Sequence, residues 1–170
     1  MTAATAAGNP RQAGRRAVAT AAAAAVLVAV MGALSTDLGP WYASLKQPAW
    51  KPSDALFGPA WTLIYALAAL AGVQAWTRTP DKPGRDGILI AFGLNAVLNV
   101  VWSLLFFRLR RPDWALSEVG LLWASIALLM VVLGRRRPSA AALLAPYLLW
   151  VAFAGVLNSE VVRLNAPFGA

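Results

Sequence analysis

Few side chains in this 170-residue sequence could perform acid–base or nucleophilic chemistry. Histidine and cysteine are both absent, which excludes disulfide bonds, thiolate nucleophiles, histidine bases and metal sites built from those ligands. The ionisable groups within apolar segments are Glu118 and Glu160, with Arg163 at an edge. We expect Glu160 and Arg163 to form a local ion pair, and Glu118 to reach lipid headgroups or Arg110 and Arg111. This inventory argues against general acid–base catalysis.

Amide and aromatic residues recur at helical spacing in three apolar segments. Asn95, Asn99 and Trp102 share one helical face at spacing i, i+4 and i+7, and Trp61 lies one turn before Tyr65. A third stripe comprises Tyr147, Trp150, Ala154 and Asn158. Aromatic walls with few polar groups suit a planar, largely apolar ligand. The alternative is structural, with buried amides that link helices and tryptophans that fill volume.

The segments that carry these residues are long enough to cross a membrane. The chain is 59% hydrophobic and only 13% charged, whereas soluble domains have about a quarter charged residues. A spanning helix needs about 20 residues, and its backbone must be hydrogen-bonded internally. Five apolar runs meet that length: Ala17–Ser35, Ala55–Trp76, Gly87–Phe107, Trp114–Leu133 and Ala140–Val162. The sequence therefore predicts an all-α, integral membrane bundle of five transmembrane helices over residues 17–165.

Charge is concentrated between the apolar runs. The net charge of +8 comes from short clusters of Lys and Arg, which is typical of membrane-protein loops and argues against a nucleic-acid partner. Residues 1–16 are predicted to be a disordered basic tail, and residues 166–170 a C-terminal tail. The first run could be a signal peptide, but Met31-Gly32-Ala33 does not place small residues at both cleavage positions. We therefore expect a retained first helix.

The connection from residue 36 to residue 54 is the only long one. Loops of this length within a compact domain are usually functional or have structure of their own. Pro48 and Pro52 fix backbone angles on either side of Trp50, which favours a rigid cover over a flexible linker. We call residues 36–54 the lid loop.

Four groups of residues occur in an order that is typical of one known family. They are Trp41-Tyr42 with Gln47-Pro48-Ala49-Trp50-Lys51-Pro52, Pro59-Ala60-Trp61 with Tyr65, Asn99 and Trp102 with Phe106-Phe107, and Pro146-Tyr147 with Trp150, Ala154 and Asn158. These motifs resemble the TspO/MBR family, which includes tryptophan-rich sensory proteins, translocator proteins and the peripheral benzodiazepine receptor. The chain departs from the family pattern at Lys46, one place from the family's lysine, and at Ser53, which replaces a proline.

The resemblance implies a ligand site beneath the lid loop. It implies a cavity, often in a homodimer, that binds porphyrin-type tetrapyrroles such as protoporphyrin IX or haem without covalent attachment. With the stripes above, the expected ligand-binding residues are Trp41, Lys46, Trp50, Trp61, Tyr65, Asn95, Asn99, Trp102, Tyr147, Trp150, Ala154 and Asn158. The propionates would contact Lys46, Lys51 or backbone N–H groups. Sterol binding is not expected, because Leu157–Arg163 lacks the tyrosine of the cholesterol consensus.

Three functions follow as alternatives. The first is a membrane receptor or carrier for tetrapyrroles, with a sensory or transport role. The second is a light-dependent enzyme that degrades bound porphyrin, in which Trp61 and Trp150 would take part. The third is a membrane scaffold without a small ligand. The Ala- and Arg-rich composition suggests a bacterial cell membrane.

Overall fold

The computed structural model describes residues 10–168, and helices account for most of that range. The helices are α1 (Pro10–Ser35), α2 (Pro40–Ser44), α3 (Phe57–Thr77), α4 (Lys82–Ser103), α5 (Pro112–Gly134), α6 (Pro138–Ala142) and α7 (Ala145–Asn165). A 3₁₀ turn at Asp54–Leu56 leads into α3, and a π-helical turn at Leu104–Arg108 extends α4. No strand occurs between residues 10 and 168.

Five helical segments are long and apolar enough to cross a membrane. They are Gly14–Ser35, Asp54–Thr77, Lys82–Arg108, Pro112–Gly134 and Pro138–Asn165. Each overlaps one of the predicted runs and extends it by a few residues, because a helix continues beyond the residues that face lipid. The predicted fold class, an all-α bundle of five transmembrane helices, is confirmed.

The helix starts follow simple local rules. Proline occupies one of the first two positions of α2, α4, α5, α6 and α7, where its missing N–H is not needed. At the start of α4, Asp81 accepts a hydrogen bond from the Gly84 N–H at 2.7 Å. That bond lowers the pKa of the Asp81 carboxyl. Asp81 is thus an N-cap that fixes where α4 begins.

The start of the first helix differs from its predicted bound. Helix α1 begins at Pro10, so residues 10–16, part of the predicted tail, are helical. Hydropathy marks where a helix enters lipid, whereas the helix itself can start several residues earlier in water. Residues 1–9, the rest of the predicted tail, and residues 169–170 lie outside the described range.

The bundle is tightly packed at the end opposite the lid loop. There α3, α4, α5 and the start of the last span share one apolar cluster: Ala71, Ala75, Ile88, Ala91, Leu129, Leu133, Ala140 and Leu144. Helix α5 packs between α4 and α7, while α1 packs on α3 and reaches α4. The helices are therefore packed closely at this end, and the largest part of the space between them lies toward the lid loop.

Candidate functional site

A cavity of about 600 Å³ lies beneath the lid loop. Its walls come from α1, α3, α4 with its π-helical turn, and α7, and the lid loop covers it. The lining residues are Ala29, Gly32, Ala33, Thr36, Leu38, Tyr42, Gln47, Asp54, Phe57, Gly58, Trp61, Thr62, Tyr65, Asn99, Trp102, Ser103, Phe106, Phe107, Trp150, Ala154, Leu157, Asn158 and Val161. Its volume falls within the range of small-molecule sites, about 300–1,000 Å³.

Seven of the twelve predicted site residues line this cavity. They are Trp61, Tyr65, Asn99, Trp102, Trp150, Ala154 and Asn158. They come from α3, α4 and α7, so the three stripes seen in the sequence converge on one space. Their contact with a ligand stays a prediction.

The predicted residues of the lid loop lie outside the cavity lining. Trp41 packs edge-on against Phe106, with ring centroids 6.2 Å apart, and Trp50 packs against Phe153 at 5.9 Å. Trp50 is 48% exposed, and Lys46 is also exposed. Trp41 is half-buried against the apolar cluster that contains Phe106, whereas Trp50 and Lys46 face the outside of the bundle. They support the cover of the site and do not form its wall.

Asn95 and Tyr147 are also absent from the lining, because they are buried behind it. Tyr65 Oη donates to Asn99 Oδ1 at 3.0 Å, and Asn99 Nδ2 donates to Tyr147 Oη at 3.1 Å. Tyr147 Oη then donates to Asn95 Oδ1 at 3.2 Å, and Asn95 Nδ2 donates to Ser125 Oγ at 2.9 Å. We call these five side chains the amide–tyrosine chain. Sequence reasoning missed Ser125, since a single serine in an apolar run carries no pattern.

Eight aromatic side chains contribute to the cavity wall. Trp61 stacks on Tyr65 with centroids 5.3 Å apart and an angle of 26°, while Trp102 stacks on Phe106 at 5.3 Å and 29°. Trp150 packs edge-on against Phe57 at 5.5 Å, so its ring is also held. Such packing fixes ring orientation before any ligand arrives.

The π-helical turn places two more rings at the cavity. Leu109 N–H donates to the Leu104 carbonyl, five residues earlier, at 2.9 Å. The wider turn presents both Phe106 and Phe107 to the cavity, which adjacent residues of a regular α-helix do less readily. Both phenylalanines belonged to the family-like motif but were not predicted as site residues.

Helix α1 supplies a wall of small residues that sequence reasoning also missed. Ala29, Gly32 and Ala33 line the cavity at spacing i, i+3 and i+4. A side chain on Gly32 would begin 3.7 Å from the hydroxyl of Tyr65, so α1 passes close to α3 here. The repeated small residues were visible in the sequence, but they carry no functional group and so drew no prediction.

The mouth of the cavity holds a compact polar group. Tyr42 Oη donates to Asp54 Oδ1 at 3.0 Å, and the Lys51 ammonium donates to the same carboxylate. Burial disfavours the charge on Lys51, but hydrogen bonds to Asp54 and Tyr42 outweigh burial and raise the pKa of its ammonium. For the Tyr42 hydroxyl, whose charged form is an anion, burial itself raises the pKa. The Lys51 charge is therefore already compensated by Asp54, while Lys46 remains exposed.

Three lining residues bury an N–H donor that has no acceptor. These atoms are Gln47 Nε2, Trp102 Nε1 and Trp150 Nε1, and none finds a partner within residues 10–168. Buried donors usually have a partner, so these three leave hydrogen-bonding capacity at the site unused. Across the same range, no group of three or more Asp or Glu residues is placed to hold a metal ion.

Three other polar residues, Asn158, Glu160 and Glu118, differ in whether their side chains have a hydrogen-bond or ion-pair partner. With its amide oriented to satisfy both groups, Asn158 Nδ2 donates to the Pro112 carbonyl at 3.1 Å and its Oδ1 accepts from the Leu116 N–H at 3.0 Å, which bridges the first turn of α5. Glu160 pairs with Arg163 at 2.7 Å, as predicted. The expectation for Glu118 is wrong. Its side chain is 7% exposed, and neither carboxylate oxygen has a partner in the described part of the chain.

The reason for that error is the direction in which α5 faces. Glu118 lies on the same face of α5 as Leu122 and Ser125, which pack inward. Arg111 instead pairs with Asp113 and stacks over the Trp114 ring at 4.1 Å. The arginines near the start of α5 are thus engaged at the surface, away from the buried carboxyl group.

Comparison with known proteins agrees with this architecture. The profile of the TspO/MBR family matches residues 17–164. Tryptophan-rich protein TspO of Chlorobaculum tepidum is 36% identical over 130 residues, which covers 74% of this chain and 79% of that protein. Tryptophan-rich sensory protein of Cereibacter sphaeroides is 34% identical over 125 residues, covering 74% and 77%. Translocator protein of Homo sapiens is 33% identical over 128 residues, covering 74% and 75%.

The family profile match extends over all five spanning segments and includes the residues that line the cavity. The matches support a receptor or sensory role in a membrane. The chain belongs to the TspO/MBR family and is a multi-pass membrane protein.

Proposed function

We propose that this protein is a membrane receptor or carrier that binds a porphyrin-type tetrapyrrole in the cavity beneath the lid loop. The observation that carries the proposal is the convergence of Trp61, Trp102 and Trp150, from three different helices, on one cavity of about 600 Å³. A tetrapyrrole is flat, largely apolar and of comparable size. Its faces would lie against these rings, and the apolar contact would supply most of the binding free energy.

The polar groups at the cavity fit the edge of such a ligand. The macrocycle carries propionates, which accept hydrogen bonds from donors such as Gln47 Nε2 and the indole N–H groups of Trp102 and Trp150. Because these donors have no partner in the described residues, a ligand acceptor would satisfy them without breaking an existing bond. With no histidine or cysteine in the chain, stacking and hydrogen bonding would hold the ligand.

The test is a titration of the detergent-solubilised protein with protoporphyrin IX in the dark. Binding is followed by the shift of the porphyrin absorption band, so that removing a tryptophan does not change the readout itself. We expect saturation near one ligand per chain. Trp61→Ala and Trp150→Ala should each weaken the affinity about tenfold, since an aromatic contact contributes about 0.5–1.5 kcal/mol beyond its buried area.

Trp123→Ala is the matched control, because Trp123 lies on α5, is 42% exposed and is absent from the cavity lining. Its affinity should equal that of the unmodified protein. Unchanged affinity in both cavity variants would place the ligand elsewhere, and absence of saturable binding would favour the scaffold alternative. Repeating the titration under illumination tests the enzyme alternative. Light-dependent loss of the porphyrin spectrum that Trp150→Phe abolishes would favour degradation.

A further inference from the structure

The amide–tyrosine chain links the cavity wall to α5 with every hydrogen bond pointing the same way. Tyr65 donates to Asn99, Asn99 to Tyr147, Tyr147 to Asn95, and Asn95 to Ser125. Tyr147, Asn95, Asn99 and Ser125 are all buried, so water does not compete for these bonds. Only Tyr65 and Asn99 belong to the cavity lining. The chain therefore has one end at the site and the other end in the packed interior.

A backbone carbonyl fixes the direction of the whole chain. Ser125 Oγ donates to the carbonyl of Leu122 at 2.7 Å, and a carbonyl can only accept. With its proton used in this way, Ser125 accepts from Asn95, which turns the Asn95 oxygen toward Tyr147. The same reasoning passes through Tyr147 and Asn99 to Tyr65. Reversing the direction would lose the Ser125–Leu122 bond, leaving four hydrogen bonds where the observed direction has five.

The consequence at the cavity concerns the Tyr65 hydroxyl. Its proton is donated to Asn99 at 3.0 Å, so the oxygen has only lone pairs left to offer a ligand. The hydroxyl lies beside Gly32 on α1, and both residues line the cavity. An N–H or O–H group placed there gains a hydrogen bond. A group that can only accept meets an oxygen that has no proton to give.

We propose that Ser125, which does not touch the cavity, is a positioning residue that makes Tyr65 an acceptor and so selects ligands that present a hydrogen-bond donor at this point. The inference rests on the proposed function, because it specifies the chemistry of a ligand held in the same cavity. It predicts a preference for tetrapyrroles with a peripheral N–H or O–H over otherwise similar molecules with acceptor groups alone.

The experiment compares two derivatives of protoporphyrin IX that differ in one respect. The bis-amide carries N–H donors on both side chains, whereas the side chains of the dimethyl ester carry only acceptors. The measured quantity is the dissociation constant of the ester divided by that of the bis-amide. A single net hydrogen bond, about 1 kcal/mol, separates the two directions of the chain, so Ser125→Ala should lower this ratio about fivefold. Ser125→Thr keeps a hydroxyl and should retain the ratio.

Ser159→Ala is the matched control. Ser159 Oγ donates to the Val156 carbonyl at 2.7 Å, the same i to i−3 bond that Ser125 makes. Ser159 is on α7 and takes no part in the amide–tyrosine chain, so its removal should leave the ratio unchanged. Tyr147→Phe is a second test variant. It removes the hydroxyl that links Asn99 to Asn95 in the amide–tyrosine chain, so it should lower the ratio as Ser125→Ala does.

The outcomes separate this inference from the proposed function. A ratio that is unchanged in both Ser125→Ala and Tyr147→Phe, with both derivatives still bound, would overturn the inference alone. Should Ser125→Ala fail to fold, as judged by its circular dichroism, Tyr147→Phe decides the question. Failure of protoporphyrin IX and both derivatives to bind the unmodified protein would instead overturn the proposed function.

Discussion

The side-chain amide of Asn165 holds the backbone of Lys46, 119 residues earlier in the chain, through two hydrogen bonds. Lys46 N–H donates to Asn165 Oδ1 at 2.8 Å, and Asn165 Nδ2 donates to the Lys46 carbonyl at 2.9 Å. Asn165 is also the last residue of α7, and its Nδ2 contacts the Val161 carbonyl at 2.8 Å. The end of the fifth span thus fixes the middle of the lid loop.

Removal of this clamp should loosen the lid loop without unfolding the bundle. In Asn165→Ala both bonds are lost, and local opening of a loop costs less than global unfolding. We expect tryptic cleavage after Lys46 to be about tenfold faster, which corresponds to about 1.4 kcal/mol from two partly exposed bonds. Arg163→Ala is the control, because within residues 10–168 the Arg163 side chain pairs with the nearby Glu160 alone. An unchanged cleavage rate would show that other contacts hold the loop.

Alkaline pH should weaken the polar group at the mouth of the cavity and so speed the release of ligand. The pKa of the Lys51 ammonium is raised above its ordinary 10.5, and the pKa of Tyr42 is raised above 10.0. Groups whose folded pKa is raised stabilise the fold below the unfolded value and lose that contribution as pH rises through the folded value. The dissociation rate of bound porphyrin should therefore be flat to about pH 10 and increase above 10.5.

Lys51→Gln is the control for that pH dependence. The glutamine cannot lose a proton, so the part of the rise that is due to Lys51 should disappear, while the part due to Tyr42 remains. If the unmodified protein and Lys51→Gln showed the same curve, the Lys51 ammonium would not restrain the ligand.

Filling the α1 wall should exclude the ligand while leaving the fold intact. A Cβ at Gly32 meets the Tyr65 hydroxyl at 3.7 Å, an ordinary contact, so Gly32→Ala should fold and gain up to about 1 kcal/mol from helix propensity. Gly32→Leu projects further into the cavity, and we expect porphyrin affinity to fall at least tenfold.

Gly93→Leu is its counterpart on α4, where nothing lies within 4 Å of the added Cβ. That variant should bind as the unmodified protein does. Equal binding by Gly32→Leu and Gly93→Leu would mean that the ligand does not approach α1.

Glu118 should be replaceable by an apolar residue with a gain in stability. Its carboxylate oxygens are buried without partners in the described residues, and burying an unsatisfied polar group costs about 1–3 kcal/mol. Glu118→Leu should therefore raise the thermal midpoint of the detergent-solubilised protein. Glu160→Leu, which removes a partly exposed carboxylate paired with Arg163, should change the thermal midpoint little. A lower midpoint for Glu118→Leu would reveal a partner that the bundle alone does not supply.

The spans and the polar stripes were predictable because they depend on local sequence. Twenty apolar residues in a row have one stable solution in lipid, and helical spacing places Asn99 and Trp102 on one face. Helical spacing does not, however, determine which neighbouring helix packs against that face. Asn95 shares the stripe with Asn99 but points toward Ser125, one layer behind the cavity wall.

The conformation of the lid loop, in contrast, could not be predicted from local sequence. That conformation depends on Asn165, which is remote in sequence, and on the packing of Trp41 against Phe106 and of Trp50 against Phe153. No local pattern contains that information. The α1 wall could not be predicted for another reason. Ala29 and Gly32 leave room for a ligand because their side chains are small, whereas binding residues are recognised in a sequence by their polar or aromatic groups.

The amide–tyrosine chain also constrains how this sequence can change by mutation. Each member except the last donates to the next, so loss of one side chain leaves a buried donor or acceptor unpaired in its neighbours. Stepwise replacement therefore passes through less stable intermediates, although exchanging all five residues for apolar ones together would remove the penalty. Among relatives these positions are expected to persist or to vary as a set, so that covariation between Ser125 and Tyr65 would record a connection between residues that never touch.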